Sequence, residues 1–274
     1  MQDSTIAIYC FIDDLLQKLP KKPIDSRRKL TDAQVITIAI TAARYFQGNQ
    51  QNACAYMRDF FGFDIPDKSN FTKILHSLSD LIHALFYHLA EMIKNLNIES
   101  RYIIDSFPVA MCKNIRIPRA KIVKEKAYRG YNASKKEYFY GIKVHMICTE
   151  NGIPVEFMFT QGSVHDNKGM QQMLINLPEN SVLYADSAYL NKEIKEILAQ
   201  KKHISLMAAT KKNSIKKNTP EQAQEINHFR KRIETTFSSI NAWFAKKIHA
   251  VTLKGFLLKV LFTIIALIVH MNIK

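Results

Sequence analysis

The sequence predicts an α/β protein in which a small all-helical, helix-turn-helix-like domain precedes a mixed sheet flanked by helices. Three observations predict it. Apolar residues recur at threes and fours through the first hundred positions, the period changes to alternation after Ile98, and later strands alternate with helical stretches before two closing helices. A chain of 274 residues has room for one sizeable core and a smaller module, so the boundary is placed at 1–97 and 98–274.

The helical part can be read in order. Residues 30–46 open with Thr31 and, three positions on, Gln34, a capping-box pair whose side chains satisfy each other's free backbone N–H groups. Val35, Ile36, Ile38, Ala39 and Ala42 follow at helical spacing, and the helix stops near Gly48. Residues 50–61 make a second helix ending at Gly62, Pro66 breaks the chain, and Ser69 caps a third helix through Phe71, Ile74, Leu75 and Leu78. Helix, glycine-containing turn, helix is the outline of a helix-turn-helix, with a plain bundle as its alternative. In the first reading 69–77 enters a DNA groove, and Ser69 and Lys73 touch DNA.

Beyond Ile98 the pattern is that of strands. Residues 101–104 lead as a short apolar strand into Asp105. Residues 138–148 alternate, with Ile142, Val144 and Met146 on one face and Gly141, Lys143 and His145 on the other, polar one. Glu150, Asn151 and Gly152 turn the chain into a strand at 155–160. A buried strand at 182–185, a helix at 192–200, a strand at 204–208, a long helix at 221–246 and an apolar helix at 253–271 complete the order. The apolar run 260–269 is shorter than the ~20 residues a membrane span requires, which makes it a core helix and the protein no membrane partner.

Lys and Arg number 39 against 24 Asp and Glu, a formal charge of +15 that favours a polyanionic partner. Much of the excess lies in two loops. Residues 113–136 carry nine Lys and Arg, among them Lys124, Lys126 and Arg129, interleaved with Tyr128 and Tyr131; 211–217 carries Lys211, Lys212, Lys216 and Lys217. Such loops suit phosphate contacts with some base stacking, and a solvated charge run is the bland alternative. Cys10, Cys54, Cys112 and Cys148 are too scattered for paired cysteine motifs and suit reduced thiols. The N-terminus lacks the basic start and apolar stretch of a signal peptide, which predicts a cytoplasmic chain.

Two acids carry the chemistry. Asp105 follows Tyr102, Ile103 and Ile104, and Asp186 follows Val182 to Ala185. A carboxylate beside a buried strand loses hydration and needs a cation, a proton or strong hydrogen bonds. Two of them on adjacent strands repel each other, and a divalent cation of the Mg²⁺ kind relieves that repulsion. Taken singly, each Asp is more readily a turn residue capping a strand end. His165 and Asp166, after an apolar strand, are candidates to support such a site from behind.

Four motifs in order now resemble a known family: Tyr102 to Ser106, Tyr140 to His145, Tyr184 to Tyr189, and Arg230 to Glu234. Together they are similar to the DDE transposases of bacterial insertion sequences. The resemblance covers almost the whole chain, with 98–274 similar to the catalytic domain and 1–97 to the DNA-binding part. It implies a ribonuclease-H-like fold, shared with retroviral integrases, and Asp105, Asp186 and Glu234 as catalytic metal ligands. It also implies two Mg²⁺ ions, with Mn²⁺ able to substitute, and double-stranded DNA, both the element's terminal inverted repeats and a target, as partner. Two ends handled together imply a homodimer on DNA, and the setting implied is a bacterial cytoplasm, nucleoid-associated. Arg230, Lys143 and His145 are candidate phosphate contacts. The chain departs from the family pattern with Asn227 and Asn241, where Tyr and a basic residue are usual; Lys246 and Lys247 stand nearby as substitutes. A nuclease that cuts without joining, and a DNA-binding regulator, are the competing functions.

On the long helix, about 100° per residue places Ile226, Phe229, Ile233, Phe237, Ile240 and Phe244 on one apolar stripe. Glu234 falls on one edge with Arg230, and Glu225 on the opposite edge.

Overall fold

A computed structural model describes residues 1–20, 28–133, 135–210, 213–214, 217–245 and 248–273. In chain order its helices are α1 (Gln2–Gln17), α2 (Asp32–Tyr45), α3 (Gln50–Phe61), α4 (Lys68–Ser77), α5 (Ser79–Leu96), α6 (Asp166–Gln172), α7 (Lys192–Lys202), α8 (Pro220–Trp243) and α9 (Leu253–Asn272). Its strands are β1 (Arg101–Cys112), β2 (Arg129–Asn132), β3 (Glu137–Thr149), β4 (Pro154–Gln161), β5 (Val182–Ala185) and β6 (Ser205–Ala208). The chain forms two compact units, Met1–Leu89 with Ser239–Lys274, and Ala90–Ser238. In sequence the change of pattern falls at 97/98; in space the last 36 residues, counted from Ser239, group with the first helices.

The reason lies in α9. Its residues from Val260 to Val269 are all buried, which only a helix surrounded by protein can achieve, and α2 is the helix it packs on. α9 is long and apolar enough by composition to cross a membrane, longer than its ten-residue apolar run suggested, and two thirds of its apolar window is buried within the protein. α2 is equally enclosed: ten of its residues are buried, with α1, α3 and α4 also packed on it. The capping box of α2 forms as the sequence predicts, Gln34 N–H donating to Thr31 Oγ1 and Thr31 N–H to Gln34 Oε1. α3 ends at Gly62, whose φ of +65° is the left-handed conformation a helix terminator favours. α4 begins earlier than expected. Asp67, not Ser69, is its cap, because the Asp67 carboxylate accepts from both Ser69 N–H and Asn70 N–H and so satisfies two free donors.

The second unit holds a mixed sheet in the order β2-β3-β1-β5-β6, with β4 also paired to β3. β1 runs antiparallel to β3 and parallel to β5, and β5 runs parallel to β6. β1 is three times the expected length: it continues past Asp105 because β3 pairs with it from Tyr102 to Cys112. β3 is buried on both faces for most of its length, so its alternation does not mark a solvent face. The α8 stripe forms, with Ile226, Phe229, Ile233, Phe237 and Ile240 buried. Phe229 stacks on Tyr184 at 4.2 Å between ring centres, and Phe237 meets Phe107 at 4.6 Å. Thr236 donates its hydroxyl to the Gly152 carbonyl at 2.8 Å; Gly152 has φ +81°, and a Cβ there would collide with that hydroxyl. At the end of α5, Lys94 is buried and its ammonium is shared among Glu91, Glu156 and the Asn176 carbonyl.

Candidate active site

Parallel pairing of β1 with β5 ends at Ile104 opposite Ala185. The next residue on each chain segment is an aspartate, so Asp105, still within β1, and Asp186, just past the end of β5, stand side by side. Carboxyl ends of parallel strands at a change of strand direction are where open α/β sheets build sites. Backbone geometry holds both side chains. Ser106 N–H donates to Asp105 Oδ1 at 2.7 Å and Ser187 N–H to Asp186 Oδ1 at 2.5 Å. Asp186 thereby caps the short turn Ser187–Tyr189.

Burial pushes the Asp105 carboxyl up to about 7, the Ser106 N–H opposing it, while the like charges of Asp166 and Asp186 add to the rise and Arg230 reduces it. Arg230, on α8, places Nη2 at 3.5 Å from Asp186 Oδ2, and its Nε is buried without a hydrogen-bond partner. Glu234, one turn further along α8, is exposed. Among the described residues no three His, Cys, Asp or Glu side chains stand close enough to hold one metal ion together, so Glu234 does not join the two aspartates in this arrangement. Glu225 is turned to the sheet elsewhere, its Oε1 accepting from the Tyr184 hydroxyl at 2.6 Å.

The carboxylate of Asp166 does stand beside the pair. The Ser106 hydroxyl donates to Asp166 Oδ1 at 2.7 Å, and the Lys143 ammonium donates to the same oxygen at 3.1 Å and to the Val164 carbonyl at 2.9 Å. Lys143 is therefore engaged with protein groups at the site. His145 is not on a polar surface at all: it is fully buried, its Nε2 paired with Thr160 Oγ1 at 3.0 Å. α6 covers it, with Gly169 so close that a Cβ there would overlap the ring. A phosphate contact from His145 is excluded by that cover. Burial depresses its imidazole to about 4, Asp166 opposing and Lys143 assisting the drop. His165 is exposed at the start of α6, while Asp166 faces inward. Spacing signalled the pair; only the packing of α6 on β3 separates the two roles. Ser106 and Tyr189 gave no sequence signal beyond lying within the motifs.

The other candidates lie elsewhere in their own units. Lys124, Lys126 and Arg129 are exposed ahead of and on β2, Arg129 sits 5.1 Å over the Tyr138 ring, and Tyr131 meets Tyr138 across the strands at 5.1 Å. Ser69 and Lys73 are exposed on α4. Asn227 and Asn241 are both exposed on α8. Lys211, Lys212, Lys216, Lys246 and Lys247 lie outside the described residues.

A family model described as a transposase DDE domain matches residues 97–269. No curated protein and no solved structure matches the chain.

Proposed function

The chain belongs to the transposase DDE domain family, with the mixed α/β architecture of its ribonuclease-H-like fold, and from that premise we propose a DNA transposase that cuts the ends of an insertion sequence and joins them to target DNA. The family acts on DNA phosphodiester bonds and generally uses divalent metal ions. The observation carrying the reading is the side-by-side placement of Asp105 and Asp186 where the parallel pairing of β1 with β5 ends, with Arg230 beside them.

The two aspartates fit a hard divalent cation. Burial and like charge hold Asp105 partly protonated near neutrality, and oxygen donors in that condition gain from a bound cation that removes the repulsion. Asp105 and Asp186 would hold Mg²⁺, two ions in all with Mn²⁺ as substitute, and Glu234 completes the ligand set once its side chain or its helix turns inward. When bound, the ions polarise the phosphodiester and activate water or a 3′-hydroxyl for in-line attack. The chain's own part is positional. Ser106 and Ser187 N–H groups orient the two carboxylates, Arg230 moves from Asp186 to a DNA phosphate, and the sheet keeps the site fixed.

The DNA interface in this reading is made of Lys124, Lys126 and Arg129 against phosphates, with Tyr131 and Tyr138 offering stacking faces, and of Ser69 and Lys73 on α4. Two element ends processed together call for a homodimer on DNA, and the place of action is the nucleoid of a bacterial cytoplasm. The deciding experiment incubates purified protein with a duplex carrying its flanking genomic ends, a plasmid target and Mg²⁺. Joined products establish the transposase, cleaved ends without joining leave a nuclease, and binding without either leaves a regulator.

A further inference from the structure

Asp166 takes no part in the scheme above, yet it is the best-connected acid near the aspartate pair. Its Oδ1 accepts from Ser106, the residue following Asp105 on β1, and from Lys143 on β3. Asp166 thus ties β1 to β3 beside Asp105. Lys143 also needs it. The ammonium is largely buried, its other hydrogen-bond partner among the described residues is the neutral Val164 carbonyl, and leaving a buried cation without a counter-charge is strongly destabilising. A separate observation points the same way. The Tyr189 hydroxyl is buried beside Ser106 and faces the charges of Asp166, Asp105 and Asp186 together. Like charges gathered around one buried group call for a compensating charge, and a cation at the aspartate pair supplies one. Asp166 also lines an open cleft with His165, Lys168 and Ala188.

We propose that Asp166 is a positioning residue for the divalent cation held by Asp105 and Asp186: it anchors Ser106 and cancels the Lys143 charge that would otherwise oppose the cation. This rests on the metal-dependent reading of the site. Asp166→Asn keeps an oxygen for the Ser106 hydroxyl but strips the counter-charge from Lys143. Removing the lysine charge as well, with Lys143→Met in the same chain, restores the balance without restoring the carboxylate. A purely structural role predicts no such rescue.

The test measures Mn²⁺ binding to the full chain without DNA, by the loss of the free-ion electron paramagnetic resonance signal, with thermal melts to confirm folding. Asp166→Asn is expected to weaken Mn²⁺ affinity about tenfold, the scale usual for groups that orient metal ligands. The double variant is expected to recover to within about threefold of the parent, as charge balance returns. Asp166→Glu, which keeps the charge, serves if Asp166→Asn does not fold, and is expected to bind more tightly than Asp166→Gln. Undiminished affinity in Asp166→Asn, no recovery in the double variant, or equal affinities for Glu and Gln at 166 would overturn the proposal while Asp105→Asn still loses Mn²⁺. A parent chain that binds no Mn²⁺, or an Asp105→Asn chain that binds it normally, would remove the metal reading and this inference together.

Discussion

Ser106 Oγ lies 2.7 Å from Asp166 Oδ1, joining a residue of β1 to the first residue of α6 across 60 positions of sequence. That bond sits one residue from Asp105, so the acid that burial pushes up to about 7 lies on a strand tied to α6 beside it. Among the described residues Asp105 accepts from its neighbour's backbone N–H and feels Arg230 at a distance, and Asp186 has Ser187 N–H and Arg230. The pair is oriented but under-compensated, the condition in which a cation gains most.

Asp105→Ala and Asp186→Ala should each abolish DNA cleavage while leaving duplex affinity within about threefold, because they remove cation ligands and not phosphate contacts. Gel-shift and cleavage assays on one preparation check both halves. Ca²⁺, larger and less exacting in geometry, should support binding and not turnover. Cleavage by either variant, or vigorous turnover in Ca²⁺ alone, goes against the assignment.

His145 sets an acid limit on stability. Its folded pKa is near 4 against an ordinary 6.5, because burial disfavours the charged ring. Between those values the unfolded chain binds a proton that the native chain refuses, so stability falls as pH drops through 6.5 and levels off below about 4. The full contribution is at most about 3 kcal/mol by the usual conversion of pKa shifts. His145→Gln, which can keep a bond to Thr160, should flatten the slope of unfolding free energy between pH 6.5 and 4 in urea melts. An unchanged slope would show that the ring titrates normally.

Much of this architecture could be read from residues in order, and the failures share a cause. β5, α3 and the cap of α2 were legible because Val182 to Ala185, Gly62, and Thr31 with Gln34 are local signals of burial, termination and capping. β2 and α6 were not, since Arg129 to Asn132 and Asp166 to Gln172 are short and mostly polar, and only their partners make them regular. The length of β1 was hidden because Ser106 and Pro108 interrupt its apolar run, and pairing with β3 overrides that. The aspartate pair was legible; Asp166 as its neighbour depends on α6 folding over β3, which no spacing announces. The burial of His145 follows from the same packing.

A fragment of residues 1–95 should not fold as a stable unit. α2 is buried nearly all round and α9, from the far end of the chain, is one of the helices that bury it. Removing α9 exposes apolar side chains on α2, each costing about 1.5–3 kcal/mol to leave in water. Circular dichroism melts should show no cooperative transition for 1–95, and joining 248–274 to it through a flexible linker should restore one. A cooperative, monomeric 1–95 would show the first helices to be self-sufficient.

Tyr131 and Tyr138 are each about half exposed on neighbouring strands, beside Arg129 and among exposed lysines. If this edge holds an unpaired base, replacing both tyrosines by alanine should weaken binding of a duplex with a single-stranded end by about 1–3 kcal/mol per stacked base. Binding of blunt duplex should change little, and the salt dependence should be unaltered because no cation is lost. A 2-aminopurine placed at the unpaired end should lose its quenching on the parent protein in the double variant. Equal quenching in both would assign the edge to phosphates alone.

The rotation of α8 decides which of its acids serves the site. The stripe from Ile226 to Ile240 faces the core, and Arg230, on one edge of it, reaches Asp186. Glu234 lies four residues on, and four residues return to nearly the same side of a helix, so it shares that edge. Glu225 is held on the other side by the Tyr184 hydroxyl at 2.6 Å, which commits its carboxylate to the sheet. In the arrangement described Arg230 occupies the approach to Asp186 and Glu234 remains in solvent. A cation at the aspartates competes with Arg230 for Asp186, frees the guanidinium for a phosphate, and draws the next acid on that edge inward. Glu234→Gln should therefore eliminate strand cleavage, and Arg230→Ala should weaken it while tightening Mn²⁺ binding in the absence of DNA. Glu225→Gln retains an acceptor for Tyr184 and should cost under about 1 kcal/mol of stability with near-parental cleavage. Normal cleavage by Glu234→Gln, or loss confined to Glu225→Gln, would mean that the other edge of α8 faces the reacting phosphate.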